Sequence, residues 1–189
     1  MKSLAYAAAL VSTAVLVSAV AVDTVKSPEV CVPGTEKLVT SRDVNGKQYS
    51  VHTCETVAGA APQAEAPGNG TSLTKRDQNL CGAPCTTYCN RGTGGPNPND
   101  CSTLASENQN NGQFDLPAGQ TWYWNYGTCQ VWQINTSGGN EYYCYDQNNW
   151  AGVVNYLAWN CQESTGGYAG GSCHFYDNTG VGWVEVQTY

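Results

Sequence analysis

The residues best equipped for chemistry are ten cysteines, one late histidine and two runs of aromatic and amide side chains. Cys31 and Cys54 precede a Lys75-Arg76 pair; Cys81, Cys85, Cys89, Cys101, Cys129, Cys144, Cys161 and Cys173 follow it. Both groups are even in number. Each can therefore close its own disulfides, as small pieces do in an oxidising compartment. Zinc is the competing use of the closely spaced Cys81, Cys85 and Cys89. A mixed site would need further ligands, and His174 is the one histidine downstream. No metal and no cofactor is expected.

Catalysis by a nucleophile needs a partnered base. After Arg76 there is no lysine, no spare thiol if the disulfides form, and only His174, which sits beside Cys173 in a strand-like run and reads as a structural or exposed histidine. A glycosidase mechanism needs two carboxylates at a set separation. Nine acidic residues follow Arg76, but Asp100 and Asp146 read as helix caps and Asp177 as a turn residue, and nothing marks a pair. The expectation is a protein that is not an enzyme, with a small hydrolase as the remaining catalytic reading.

The aromatic runs suit a different chemistry. Trp122-Tyr123-Trp124-Asn125-Tyr126 is one, and Tyr142 to Trp150, with Tyr143, Asp146 and Asn149, is the other. Sugars present C–H faces that stack on rings and hydroxyls that need donors and acceptors; Tyr and Trp beside Asn, Asp and Gln supply both. The same aromatics also serve as core. Along a strand Trp122, Trp124 and Tyr126 share one face. If that face is core, Tyr123 and Asn125 point outward. Tyr168, in the glycine-rich run 166–171, is a further exposed candidate. The candidate contacts are Tyr123, Asn125, Tyr143, Asp146, Asn149 and Tyr168.

These residues must be held by a scaffold. Lys37 to Val44 and Lys47 to Cys54 flank Asn45-Gly46, the strongest short hairpin signal, and Cys31 with Cys54 suits a clasp on it. An irregular arm is expected over Asp77 to Asn99. A helix over Cys101 to Gln109 follows, capped by Asp100. Strands are expected at Gln113 to Leu116 and Gln120 to Tyr126, and a hairpin pairs Thr128 to Asn135 with Glu141 to Tyr145. Asn149 to Cys161 is the best helix: Trp150, Val153, Val154, Leu157, Ala158 and Cys161 fall on one face, with Asp146 or Asn148 as cap. Ser172 to Tyr176 and Val181 to Tyr189 pair around Asp177 to Gly180. Such an order predicts an α+β domain: a largely antiparallel, disulfide-stapled sheet with two packed helices.

The ends add processing. Lys2, the apolar run Leu4 to Val20 and the small-residue site Ala19-Val20-Ala21 read as a secretory signal over 1–21. Residues 22–76 read as a pro-region with the small hairpin and a loose linker, Ala58 to Thr74, ending at the dibasic Lys75-Arg76 where a kexin-like protease cuts. The hairpin's role stays open between folding aid, inhibitor and solubility. Residues 77–189 read as the mature domain. They hold all 6 Trp and, with one Arg against nine acids, a net charge near −8. Such a surface disfavours nucleic acid and anionic membranes as partners. Asn135-Thr136-Ser137 is a glycosylation acceptor in an expected turn. The expected location is extracellular; the oligomeric state is open.

The signal, pro-segment and Lys75-Arg76, then Cys81-x3-Cys85-x3-Cys89, Asn99-Asp100-Cys101, Tyr126-Gly127-Thr128-Cys129, Tyr143-Cys144 and Trp150 to Cys161, together resemble small secreted cysteine-rich mushroom proteins akin to the ink-cap glycan-binding lectin. The resemblance implies a helix–sheet–helix sandwich and recognition of amino-sugar-containing glycans, and transfers no contact residue. More distantly, the layout is similar to fungal killer toxins and necrosis-inducing effectors. That similarity makes the second expectation an effector acting on a protein or channel of another organism.

Overall fold

A computed structural model describes residues 29–57, 77–175 and 183–188; the expected signal, the linker with Lys75-Arg76 and the Asp177 to Gly180 turn lie outside the described residues. The elements run β1 (Lys37–Val44), β2 (Lys47–Glu55), β3 (Gln78–Asn79), β4 (Cys85–Arg91), α1 (Pro98–Asn108), β5 (Gln113–Leu116), β6 (Gln120–Tyr126), β7 (Cys129–Ile134), β8 (Glu141–Cys144), α2 (Trp150–Asn160), α3 (Glu163–Gly166), β9 (Tyr168–Phe175) and β10 (Trp183–Thr188). Seven strands form one antiparallel sheet in the order β1-β2-β6-β7-β10-β9-β4, and β3-β8-β5 form a smaller one in which only β3 runs parallel. The fold is α+β and largely antiparallel, carrying five disulfides.

The β1–β2 hairpin forms because Asn45 (φ 51°) and Gly46 (φ 77°) take the positive angles its two-residue turn requires. It is not a free-standing unit. All of β2 from Tyr49 to Glu55 pairs with β6 from Tyr126 back to Gln120. Alternation then sends Tyr49 and Val51 into the same core as Trp124, Tyr126 and Val131 of the domain body, beneath Leu104, Val154 and Leu157 of the helices. On the opposite face the Cys31–Cys54 bridge packs with Tyr123, Trp132 and Ile134.

Four local expectations are corrected. The first helix is capped by Asn97, whose side chain accepts from the Asn99 amide, and begins at Pro98, a residue preorganised for a first helical position. Asp100 sits inside the first turn and bonds elsewhere. The supposed irregular arm contains β4, because Thr86, Thr87 and Tyr88 complete the open edge of β9 and the Cys85–Cys173 and Cys89–Cys161 bridges fasten it there. β7 and β8 do not pair: both edges of β7 are taken, by β6 and β10, so β8 turns to β5. Neither Asp146 nor Asn148 caps α2; Asn149 holds the cap position without a side-chain bond to the helix. Both outermost strands of the large sheet slip register once, β1 between Leu38 and Thr40 and β4 between Cys89 and Arg91.

Two ion pairs tie the hairpin to α1: Lys47 to Asp100 at 2.5 Å and Arg42 to Glu107 at 3.0 Å. Burial pushes the Asp100 carboxyl up, but the Lys47 ammonium and the Thr128 amide and hydroxyl outweigh it and hold the pKa below the ordinary 3.8. Its contribution is whole above that value and is lost as pH falls through the depressed pKa. Burial also lowers His52 from 6.5, so protonation of the ring opposes folding as pH drops below 6.5. Both groups act in the same direction. Denaturant titration of the native chain should show stability falling in acid, starting below about pH 6.5 and steepening below about pH 4; Asp100→Asn should remove the steeper step while leaving the first.

Candidate functional site

Two of the sequence candidates meet. The loop between β8 and α2 folds around Asp146, whose carboxylate accepts from the Asn148 amide (2.8 Å) and from the Asn149 side-chain amide (2.9 and 3.0 Å). The Asn149 side-chain oxygen Oδ1 accepts in turn from the Gly82 amide. The loop also lies hard against the helix it precedes. A methyl group on Gly152 would meet the Gln147 carbonyl oxygen at 2.1 Å, so only glycine permits this approach. The result is a rigid turn with two exposed amide side chains, Gln147 and Asn148.

Beside that turn lies an open groove of about 260 Å³, lined by Thr87, Gln147, Asn148, Asn149, Val153 and Tyr156 and by the Cys85–Cys173 bridge. Tyr156 is 52% exposed. No residue of the lining carries a charge. The groove therefore offers a ring, an apolar patch and amide donors and acceptors held on a disulfide-anchored strand and a helix. That set can stack and hydrogen-bond a neutral polyhydroxylated ligand.

The remaining candidates lie elsewhere. Tyr123 and Asn125, expected outward, are buried. The Trp face is core as the alternation implies, but the other face of β6 is also occupied. There His52 stacks on Tyr123 with ring centroids 4.9 Å apart, and Gln130 and Ser50 bond the Asn125 side chain. Tyr143 is 1% exposed, edge-on to Phe175 and Phe114. Burial, with the nearby Asp146 charge, pushes its hydroxyl far above the ordinary value, so it stays protonated. Tyr168 is half-buried, its ring lying against Gly166. It begins β9, five residues before Cys173, so it stands about 16 Å along the strand from the groove.

Asn135 is also corrected. It is fully buried, and the nitrogen a glycan would occupy donates to the Leu116 and Gly139 carbonyls at 2.7 and 2.9 Å. Glycosylation there is incompatible with this fold. Cys81, Cys85 and Cys89 enter three different bridges, to Cys144, Cys173 and Cys161. Among the described residues no group of acids, histidines and cysteines could hold a metal, and no helix is long and apolar enough to cross a membrane.

The sequence reading missed Tyr156. Its signal was present: it lies two residues beyond Val154, about 200° round the helix from that residue and outside the apolar stripe. Exposed Trp159, three residues on, shares that outer side and donates to the Ser102 hydroxyl. No family model matches this chain, no curated protein matches it, and no solved structure matches it.

Proposed function

We propose that the chain is an exported, non-enzymatic glycan-binding protein whose ligand seats in the groove between the 146–149 turn, α2 and β4. The observation that carries this reading is the half-exposed Tyr156 ring beside a turn of amides fixed before any ligand arrives. A preorganised site loses little conformational freedom on binding, and rigid tyrosine adds contact area at small entropic cost. The uncharged lining suits a neutral sugar. The amides of Gln147 and Asn148 suit the acetamido group of an amino sugar, which presents one donor and one acceptor. Five disulfides are in keeping with an extracellular setting.

The test is a glycan array probed with the native chain, followed by titration of the best hit. Tyr156→Ala should weaken binding about tenfold, or about 1.4 kcal/mol, with unchanged thermal unfolding because the ring is on the surface. Affinity should be nearly the same in low and high salt, since the groove has no charge to screen. A blank array, or Tyr156→Ala binding as tightly as the native chain, would sink the proposal. Host-cell damage that free sugars fail to block would favour the effector reading.

A further inference from the structure

We infer that cleavage after Arg76 yields a two-chain protein in which the amino-terminal piece stays bound as a permanent subunit. It is then neither shed nor an inhibitor that departs. The proposal takes the dibasic Lys75-Arg76 as the cleavage site: hydrolysis adds one water across the Arg76–Asp77 bond and leaves a carboxylate on one piece and an amine on the other.

The geometry on both sides of the linker supports this. Upstream, the chain is anchored up to residue 57: the Thr56 amide donates to Gly119 O, the Thr56 and Thr121 hydroxyls meet at 2.9 Å, and Val57 N donates to Val30 O. Downstream, anchoring resumes at Asp77, whose carboxylate accepts from the Asn140 amide at 3.0 Å, and continues into β3. Neither anchor depends on the 58–76 connection. No disulfide crosses it either: Cys31–Cys54 closes the front piece and the other four bridges close the rear one. Cut there, the pieces are held by non-covalent contacts alone.

Those contacts resemble the inside of a domain more than a removable cover. Seven residue pairs join β2 to β6. Tyr49 and Val51 are core residues, and the Tyr49 hydroxyl donates to buried Asn108 at 2.8 Å. The Arg42 guanidinium lies 4.1 Å from the Tyr49 ring and also pairs with Glu107, while Lys47 pairs with Asp100. The front piece thus brings cations to an acidic body, which favours association and specifies register. Its departure would open a cavity under Trp124 and turn β6, a long aromatic strand, into an unprotected sheet edge.

The experiment treats the purified 22–189 chain with a kexin-type protease and follows it by native mass spectrometry, gel filtration and non-reducing denaturing electrophoresis. Cleavage at Arg76 should give one native species holding both pieces one to one, which denaturant separates without reductant. Tyr49→Ala should fold while tethered yet lose the front piece at least tenfold faster once cut; Arg42→Ala/Lys47→Ala should also hasten loss, more at low salt than at high. The inference is overturned by a chain that resists cleavage at Arg76, by a body that elutes alone after cleavage, or by pieces that stay joined in denaturant. Glycan binding bears on none of these outcomes.

Discussion

Tyr49→Ala is expected to destabilise the uncut chain by about 4 kcal/mol, within the range for emptying a large aromatic site. Tyr49 is 1% exposed and its ring is packed in the main core. Truncation removes that ring, strips Arg42 of its cation–π partner and leaves Asn108 without its hydroxyl donor. Tyr49→Phe keeps the ring and loses only the hydroxyl, so it should cost about 1 kcal/mol. Denaturant unfolding of the two variants separates these contributions. Equal, small effects would mean that the front hairpin contributes little to the core.

Removing the Cys85–Cys173 bridge should have an effect of similar size. It spans 88 residues, against 28 for Cys101–Cys129. In the chain-entropy picture the longer loop contributes about 4.6 kcal/mol and the shorter about 3.6. The longer bridge also fastens β4, an outermost strand with one sheet neighbour, and lines the groove. Cys85→Ala/Cys173→Ala should therefore lower the guanidinium midpoint more than Cys101→Ala/Cys129→Ala, and should raise hydrogen exchange in β4 selectively. Uniform exchange across the sheet would argue against β4 depending on that bridge.

Much of the scaffold was legible where local pattern governs. The Asn45-Gly46 turn, the strand at Gln113–Leu116, the strand at Gln120–Tyr126 and the apolar stripe of α2 follow from turn chemistry and periodicity, and the structure places them within a residue of expectation. What local pattern could not supply was pairing across distance. β4 is polar, with two cysteines inside it and no apolar alternation, and becomes a strand only because β9 offers an edge. β7 and β8 look like a hairpin in sequence, but β10, some fifty residues on, takes the free side of β7. Tyr123 and Asn125 face away from the tryptophans as alternation requires; their burial depends partly on His52 and Ser50, supplied from the front piece.

The candidate site divides in the same way. Asp146 and Asn149 were identified from composition, and the structure shows them bonded to each other. Their role is to stiffen the turn, a role that composition does not specify. The ring beside them, Tyr156, was hidden in a helix read only for its apolar face. At Asn135 the triplet was recognised, but only the fold places its amide nitrogen between two carbonyls.

The two register slips on β1 and β4 bear on crowding. A straight outermost strand is a template on which another molecule can add its own strand, the first step towards fibrils. The extra residue in β1 adds local twist and breaks the regular spacing of donors and acceptors at that rim; in the β4 pair the extra residue lies in β9 and twists the pair from its inner side. Lys37, Arg42 and Asp43 add charge along the β1 side. A protein built this way can reach high concentration while its sheets stay separate.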